Sequence, residues 1–140
     1  MELVNKVYNI LTRECELGNA AVEEGDFDAA LLHFEKALAL IPKPKTDWDV
    51  ATWVYTAIGD TYFIIGNFNE AADALYDAYN CPDGHSNPFV LLRLGQALFE
   101  LGQMEKAEEY LMRAYMLEGN EIFKDEDQKY LDYLGEKYEL

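Results

Sequence analysis

Residues 58–78, IGDTYFIIGNFNEAADALYDA, read as a helix, a tight turn at Gly66-Asn67 and a second helix. The skeleton of this stretch is Ile58-Gly59, Tyr62, Gly66, Phe68, Ala71, Leu75 and Ala78. Its second half recurs upstream as Gly25-Phe27-Ala30-Phe34-Ala37 and downstream as Gly102-Met104-Ala107-Leu111-Ala114. The turn glycines Gly25, Gly66 and Gly102 are 41 and 36 residues apart. A repeating helical hairpin of about 34 residues accounts for both separations, with insertions of seven and two. The insertions fall around Trp48 and in the Cys81–Asn87 loop, both between repeats. A stacked array tolerates extra chain there. The fold predicted is all-α, a right-handed α-solenoid of three helical hairpins plus a C-terminal capping helix.

Working outward, residues 2–24 read as one long helix, with Leu3, Val7, Ile10, Leu11, Leu17 and Ala21 at helical spacing. Gly25 suits a left-handed C-cap, and Asp26 suits the N-cap of a second helix over 27–40. Pro42 and Pro44 stop that helix. Thr46 or Asp47 is the expected N-cap of a third helix ending at Gly66, and a fourth covers 69–79. Asn87 caps a fifth helix with Pro88 in its first position, where a missing N–H costs nothing. This helix ends at Gly102, the sixth ends near Gly119, and a seventh covers about 126–138. No stretch sustains period-two alternation, so no strand is expected. The 140 residues form one domain, with repeats at about 11–44, 52–85 and 88–121 and the capping helix at about 125–139.

Half the residues are hydrophobic and 14% are aromatic, enough to build a core. The net charge is −16, and the most acidic segment is 45–87, where Lys45 stands against seven acidic side chains. Such a field disfavours nucleic acid and anionic membranes, and it steers a basic protein partner inward. No apolar run reaches membrane-spanning length, and the N-terminus lacks the order of a secretory signal. With two cysteines, Cys15 and Cys81, in different kinds of element, a cytoplasmic protein with reduced thiols is expected.

The pattern resembles the tetratricopeptide repeat family. The helix A signature of that family is matched by Leu17-Gly18, by Ile58-Gly59 with Tyr62, and by Leu94-Gly95 with Leu98. The helix B signature is matched by the three glycine-led series above. Gly18, Gly59 and Gly95 are the expected points of close helix approach. The resemblance implies ligand binding on a concave face lined by helix A. The inward positions it implies are Cys15, Asn19 and Glu23 in the first repeat, and Trp53, Thr56, Asp60, Phe63 and Ile64 in the second. In the third they are Phe89, Leu92, Gln96, Phe99 and Glu100, with Arg93 beside them. Aromatics on an open groove are the usual anchors of recognition. The alternative is that a terminal helix covers them and makes them core.

A well-known subclass of the family grips the carboxylates of chaperone tails with a Lys, two Asn, a Lys and an Arg. Asn19 and Arg93 match that set, whereas Cys15, Ala57 and Phe89 stand at the other positions. A peptide with a free acidic end is therefore not the expected ligand. For catalysis the sequence offers little: His33 and His85 lie apart, and no nucleophile sits in a recognisable setting. Cys81 and His85 make two metal ligands where a closed zinc site needs four. No cofactor or metal is expected, and the protein is not read as an enzyme.

The expected function is capture of a partner protein or peptide on an acidic, aromatic concave face. The segments CPDGHSNPFVLLRLGQALFELG, RAYMLEG and IFKDEDQKYLDYL resemble small bacterial tetratricopeptide proteins that accompany polymorphic toxins as immunity proteins. That resemblance implies a basic toxin domain as the partner. The alternative is a type III secretion chaperone that cradles an extended segment of a secreted protein. Val7, Ile10 or tyrosines of the first helix offer a surface for a homodimer.

Overall fold

A computed structural model describes residues 3–140. Among them the chain forms seven α-helices and no strand. They are α1 (Asn5–Glu23), α2 (Phe27–Ala39), α3 (Asp49–Ile65), α4 (Phe68–Tyr79), α5 (Pro88–Glu100), α6 (Met104–Glu118) and α7 (Gln128–Lys137). Three antiparallel hairpins, α1–α2, α3–α4 and α5–α6, stack through the α2–α3 and α4–α5 contacts. The α-solenoid architecture read from the repeats is the one observed. Helix α1 starts at Asn5, whereas the periodicity suggested residue 2, which lies outside the described residues.

Each hairpin closes where a glycine follows, or lies just beyond, its first helix. Gly25, Gly66 and Gly102 have φ of +78°, +95° and +79°. That conformation costs a side chain with a Cβ extra energy. Asp26 caps α2 by accepting from the Ala29 amide at 3.2 Å. Asn87 caps α5 by accepting from the Phe89 and Val90 amides. The expected cap of α3 is corrected. Lys45–Asp47 forms a short 3-10 turn, and Trp48 occupies the N-cap position without a side-chain bond. The insertion is held instead by Lys45, whose ammonium donates to the Leu38 and Ile41 carbonyls at the end of α2.

The hairpins share one packing device. A Cβ on Gly18 would lie 2.5 Å from Phe34, one on Gly59 2.5 Å from Leu75, and one on Gly95 2.8 Å from Leu111. Each helix A glycine thus receives the large helix B side chain of its own hairpin. Phe34, Leu75 and Leu111 are almost wholly buried. Beyond the repeats, a 3-10 turn at Gly119–Phe123 leads to α7. Phe123, Tyr130 and Leu134 then pack with Leu91, Leu92 and Leu111, so α7 covers the apolar end of the third hairpin.

Candidate functional site

The first helices of the hairpins line a groove of about 390 Å³, and their side chains come from three repeats. Helix α1 supplies Cys15 and Asn19, and α3 supplies Thr52, Trp53, Thr56, Ala57 and Asp60. Asn87 and Phe89 close its far end, with Phe34 beneath. Trp53 is 53% exposed, and its ring meets Tyr8 edge-on at 6.3 Å. A large aromatic this open is available as an anchor for a partner. The Thr52 hydroxyl donates to the Pro82 carbonyl at 2.8 Å and Thr56 donates to the Thr52 carbonyl, so the wall at this point is tied to the Cys81–Asn87 loop. Burial raises the pKa of the Cys15 thiol, helped by the charges of Glu14 and Glu16, so it is not primed as a nucleophile.

At Phe89 the character of the groove changes. The Arg93 guanidinium lies between the rings of Phe63 and Phe89, 4.8 and 5.0 Å from their centroids. Its Nε donates to Asp60 at 2.7 Å, and its Nη1 donates to Gln96 at 2.7 Å and to Glu126. Gln96 in turn donates to Glu126 at 2.9 Å. Burial opposes the charge on Arg93, but the bond and charge of Asp60, followed by Glu126, outweigh it and raise the pKa.

Further along α5, Phe99 packs edge-on against Tyr130 and Tyr133 of α7 at 5.2 and 5.4 Å. Glu100 pairs with Lys129 at 2.9 Å and accepts from the Tyr130 hydroxyl at 3.1 Å. Burial, with the Glu100 charge beside it, pushes the Tyr130 phenol above its ordinary value.

The residues expected on the concave face therefore divide. Asn19, Trp53, Thr56, Asp60 and Phe89 line the groove together. Glu23 and Ile64 are exposed outside it, at the turn end of their helices, and Phe63 is half-buried against Arg93. Leu92 and Gln96 are corrected to interior positions, 1% and 0% exposed, because the C-terminal segment closes over α5. The same segment engages Arg93, Phe99 and Glu100. Sequence reasoning missed Glu126, Thr52 and, as a groove residue, Asn87. The one hint was Arg93, a lone cation among the apolar residues of α5, which needs a carboxylate partner once buried. Among the described residues, no group of three or more His, Cys, Asp or Glu is placed to hold a metal ion, and no helix is long and apolar enough to cross a membrane.

The chain belongs to the tetratricopeptide repeat family: family models described as tetratricopeptide repeat match residues 8–83 and 90–121. No curated protein matches the sequence. Among solved structures, the chain is similar to the Arabidopsis OM64 tetratricopeptide domain, at 18% identity and a TM-score of 0.74, over 94% of this chain and 99% of that one. It is similar to the N-terminal domain of stress-induced protein-1 from C. elegans, at 20% identity and a TM-score of 0.70, over 94% and 97% of the two chains. It is also similar to the first tetratricopeptide domain of Spaghetti, bound to the HSP90 peptide SRMEEVD, at 21% identity and a TM-score of 0.72, over 91% and 90%. Likeness at this level of identity shows the fold.

Proposed function

We propose that the protein is a non-catalytic scaffold that captures a segment of a partner protein in the groove between α1, α3 and α5. The observation that carries this reading is the open wall of Asn19, Trp53 and Thr56, with Trp53 more than half exposed. Amides and hydroxyls of this kind hydrogen-bond a peptide backbone, and the exposed indole takes an apolar side chain. The peptide-bound state of the Spaghetti domain supports a peptide-binding role for the fold.

The partner proposed is a basic protein, and in particular a toxin domain that this chain neutralises as an immunity protein. The net charge of −16 and the resemblance of the C-terminal half to small bacterial proteins of that type support it. Binding to such a domain should be fast and should weaken as salt rises. The test is capture of the partner by the wild type and by Trp53→Ala and Asn19→Ala. Both variants should fold, and both should lose at least about tenfold in affinity. Retention of full affinity by the folded variants excludes the groove. A client bound only as an isolated unfolded segment, with no folded domain inhibited, would favour a secretion chaperone instead.

A further inference from the structure

Glu126 belongs to no repeat. It sits in the turn between Phe123 and α7, and that turn is held on both sides. Phe123 is buried, the Glu126 amide donates to the Phe123 carbonyl at 3.0 Å, and Asp127 caps α7 through the Lys129 amide at 3.0 Å. The turn brings a carboxylate from outside the array against Arg93, which lies behind the groove residues Asp60 and Phe89. The Arg93 side chain is only 13% exposed and that of Glu126 16%. The pair is therefore shielded from solvent and weakly screened by salt. Gln96, fully buried, completes a closed triangle with both.

The charges at this end of the groove do not balance. Arg93 carries one positive charge, and Asp60 and Glu126 carry one negative charge each. Of the three, Asp60 lines the groove itself, Arg93 and Glu126 lie behind it, and no cation is among the lining residues. On the far side of Phe89 a second hollow of about 340 Å³ is lined by Glu118 and by Glu121, the latter paired with Lys124 at 2.6 Å, so the surplus there is a single negative charge. A chain passing Phe89 therefore meets surplus negative charge on both sides of the ring. An incoming carboxylate would be the third anion on one guanidinium, whereas an ammonium or guanidinium would neutralise the surplus.

We propose that Glu126 sets the polarity of the groove: it occupies Arg93 in place of a ligand carboxylate and leaves an anionic floor that takes a lysine- or arginine-bearing segment of the partner. This inference rests on the groove being the binding site, as proposed above.

The test uses a phage-displayed library of random dodecapeptides, selected against the full chain and against Glu126→Gln. The wild type should enrich peptides rich in Lys and Arg. Synthetic copies of those peptides should bind Glu126→Gln about tenfold more weakly, and selection on the variant should shift toward acidic peptides. Because Glu126→Gln could also loosen α7, Asp60→Asn serves as a second variant. Asp60 lies on α3, so its removal cuts the same surplus charge without touching the C-terminal segment, and the same direction of change is expected. Acidic peptides enriched by the wild type, or unchanged preference in both variants, would overturn the assignment of Glu126 alone. Failure to enrich any peptide, or selected peptides that bind Trp53→Ala as well as the wild type, would sink the groove reading and this inference with it.

Discussion

Asn19, Asp60 and Gln96 hold the same position in their repeats, one residue after the glycine that admits helix B. Asn19 is exposed, Asp60 is half-buried in an ion pair, and Gln96 is fully buried. Of Cys15, Thr56 and Leu92, only the last is buried, and of Glu23, Ile64 and Glu100, only the last is not exposed. The nine hold three equivalent positions, three before, one after and five after the glycine of each first helix. What differs is the C-terminal segment, which covers the third repeat and leaves the first two open. A repeat position therefore does not set exposure by itself, and the flanking chain decides accessibility.

The largest effects should come from the skeleton that both ends share. Leu75→Ala and Leu111→Ala each remove a fully buried side chain from beneath a helix A glycine. Each should cost about 2–5 kcal/mol in urea unfolding, through lost burial and the cavity left behind. If Leu111→Ala costs much less than Leu75→Ala, the second and third hairpins are not equivalent in packing.

The two thiols sharpen the contrast between open groove and closed loop. Cys15 lines the groove, whereas Cys81 is 3% exposed, and burial with the nearby Asp77 charge raises its pKa to about 11 from 9.0. Alkylation at pH 8 should modify Cys81 at least about tenfold more slowly than Cys15, as mass spectrometry of partly labelled protein would read. The sign of the pH effect follows from linkage. Cys81 stays protonated in the folded state while the unfolded thiol ionises above its ordinary value. Its contribution to stability is thus complete below pH 9 and lost as pH rises toward 11. Cys81→Ala should flatten that alkaline decline, and an unchanged slope would contradict the burial argument.

Smaller effects belong to the cover itself. Gly135 lies inside α7, and a Cβ there would meet no atom within 4 Å. Gly135→Ala should stabilise the protein by about 0.5–1 kcal/mol, as thermal or urea unfolding would read. At the open end, Trp53→Ala should change folding stability by about 0.5 kcal/mol or less, because the indole is mostly in water. Loss of stability well beyond that would mean that Trp53 is a packing residue and not an anchor.

Much of the fold was legible because its signals are local. Gly25, Gly66 and Gly102 mark turns through their own backbone freedom, and Asp26 and Asn87 act within three residues of their own positions. The pairs Gly18–Phe34, Gly59–Leu75 and Gly95–Leu111 follow from the repeat once it is recognised. The cap of α3 was misread because Lys45 engages the end of α2, which winds Thr46 and Asp47 into a 3-10 turn. At the groove, register pointed to Cys15, Asn19, Trp53, Thr56 and Asp60, which line it, but also to Glu23, Phe63 and Ile64, which do not. Of the residues expected in the third repeat only Phe89 lines the groove, because the C-terminal segment covers Leu92, Gln96 and Phe99.

The sequence by itself determined the three-hairpin array, its turn positions and the excess of negative charge, because periodicity, glycine placement and composition are written along the chain. Only the tertiary structure decided that Arg93 is matched by Asp60 and Glu126, each 33 residues away, and that one end of the groove is closed. No local pattern encodes such a pairing. A buried charge requires a partner, but which carboxylate reaches it depends on where the solenoid and its C-terminal turn bring the chain.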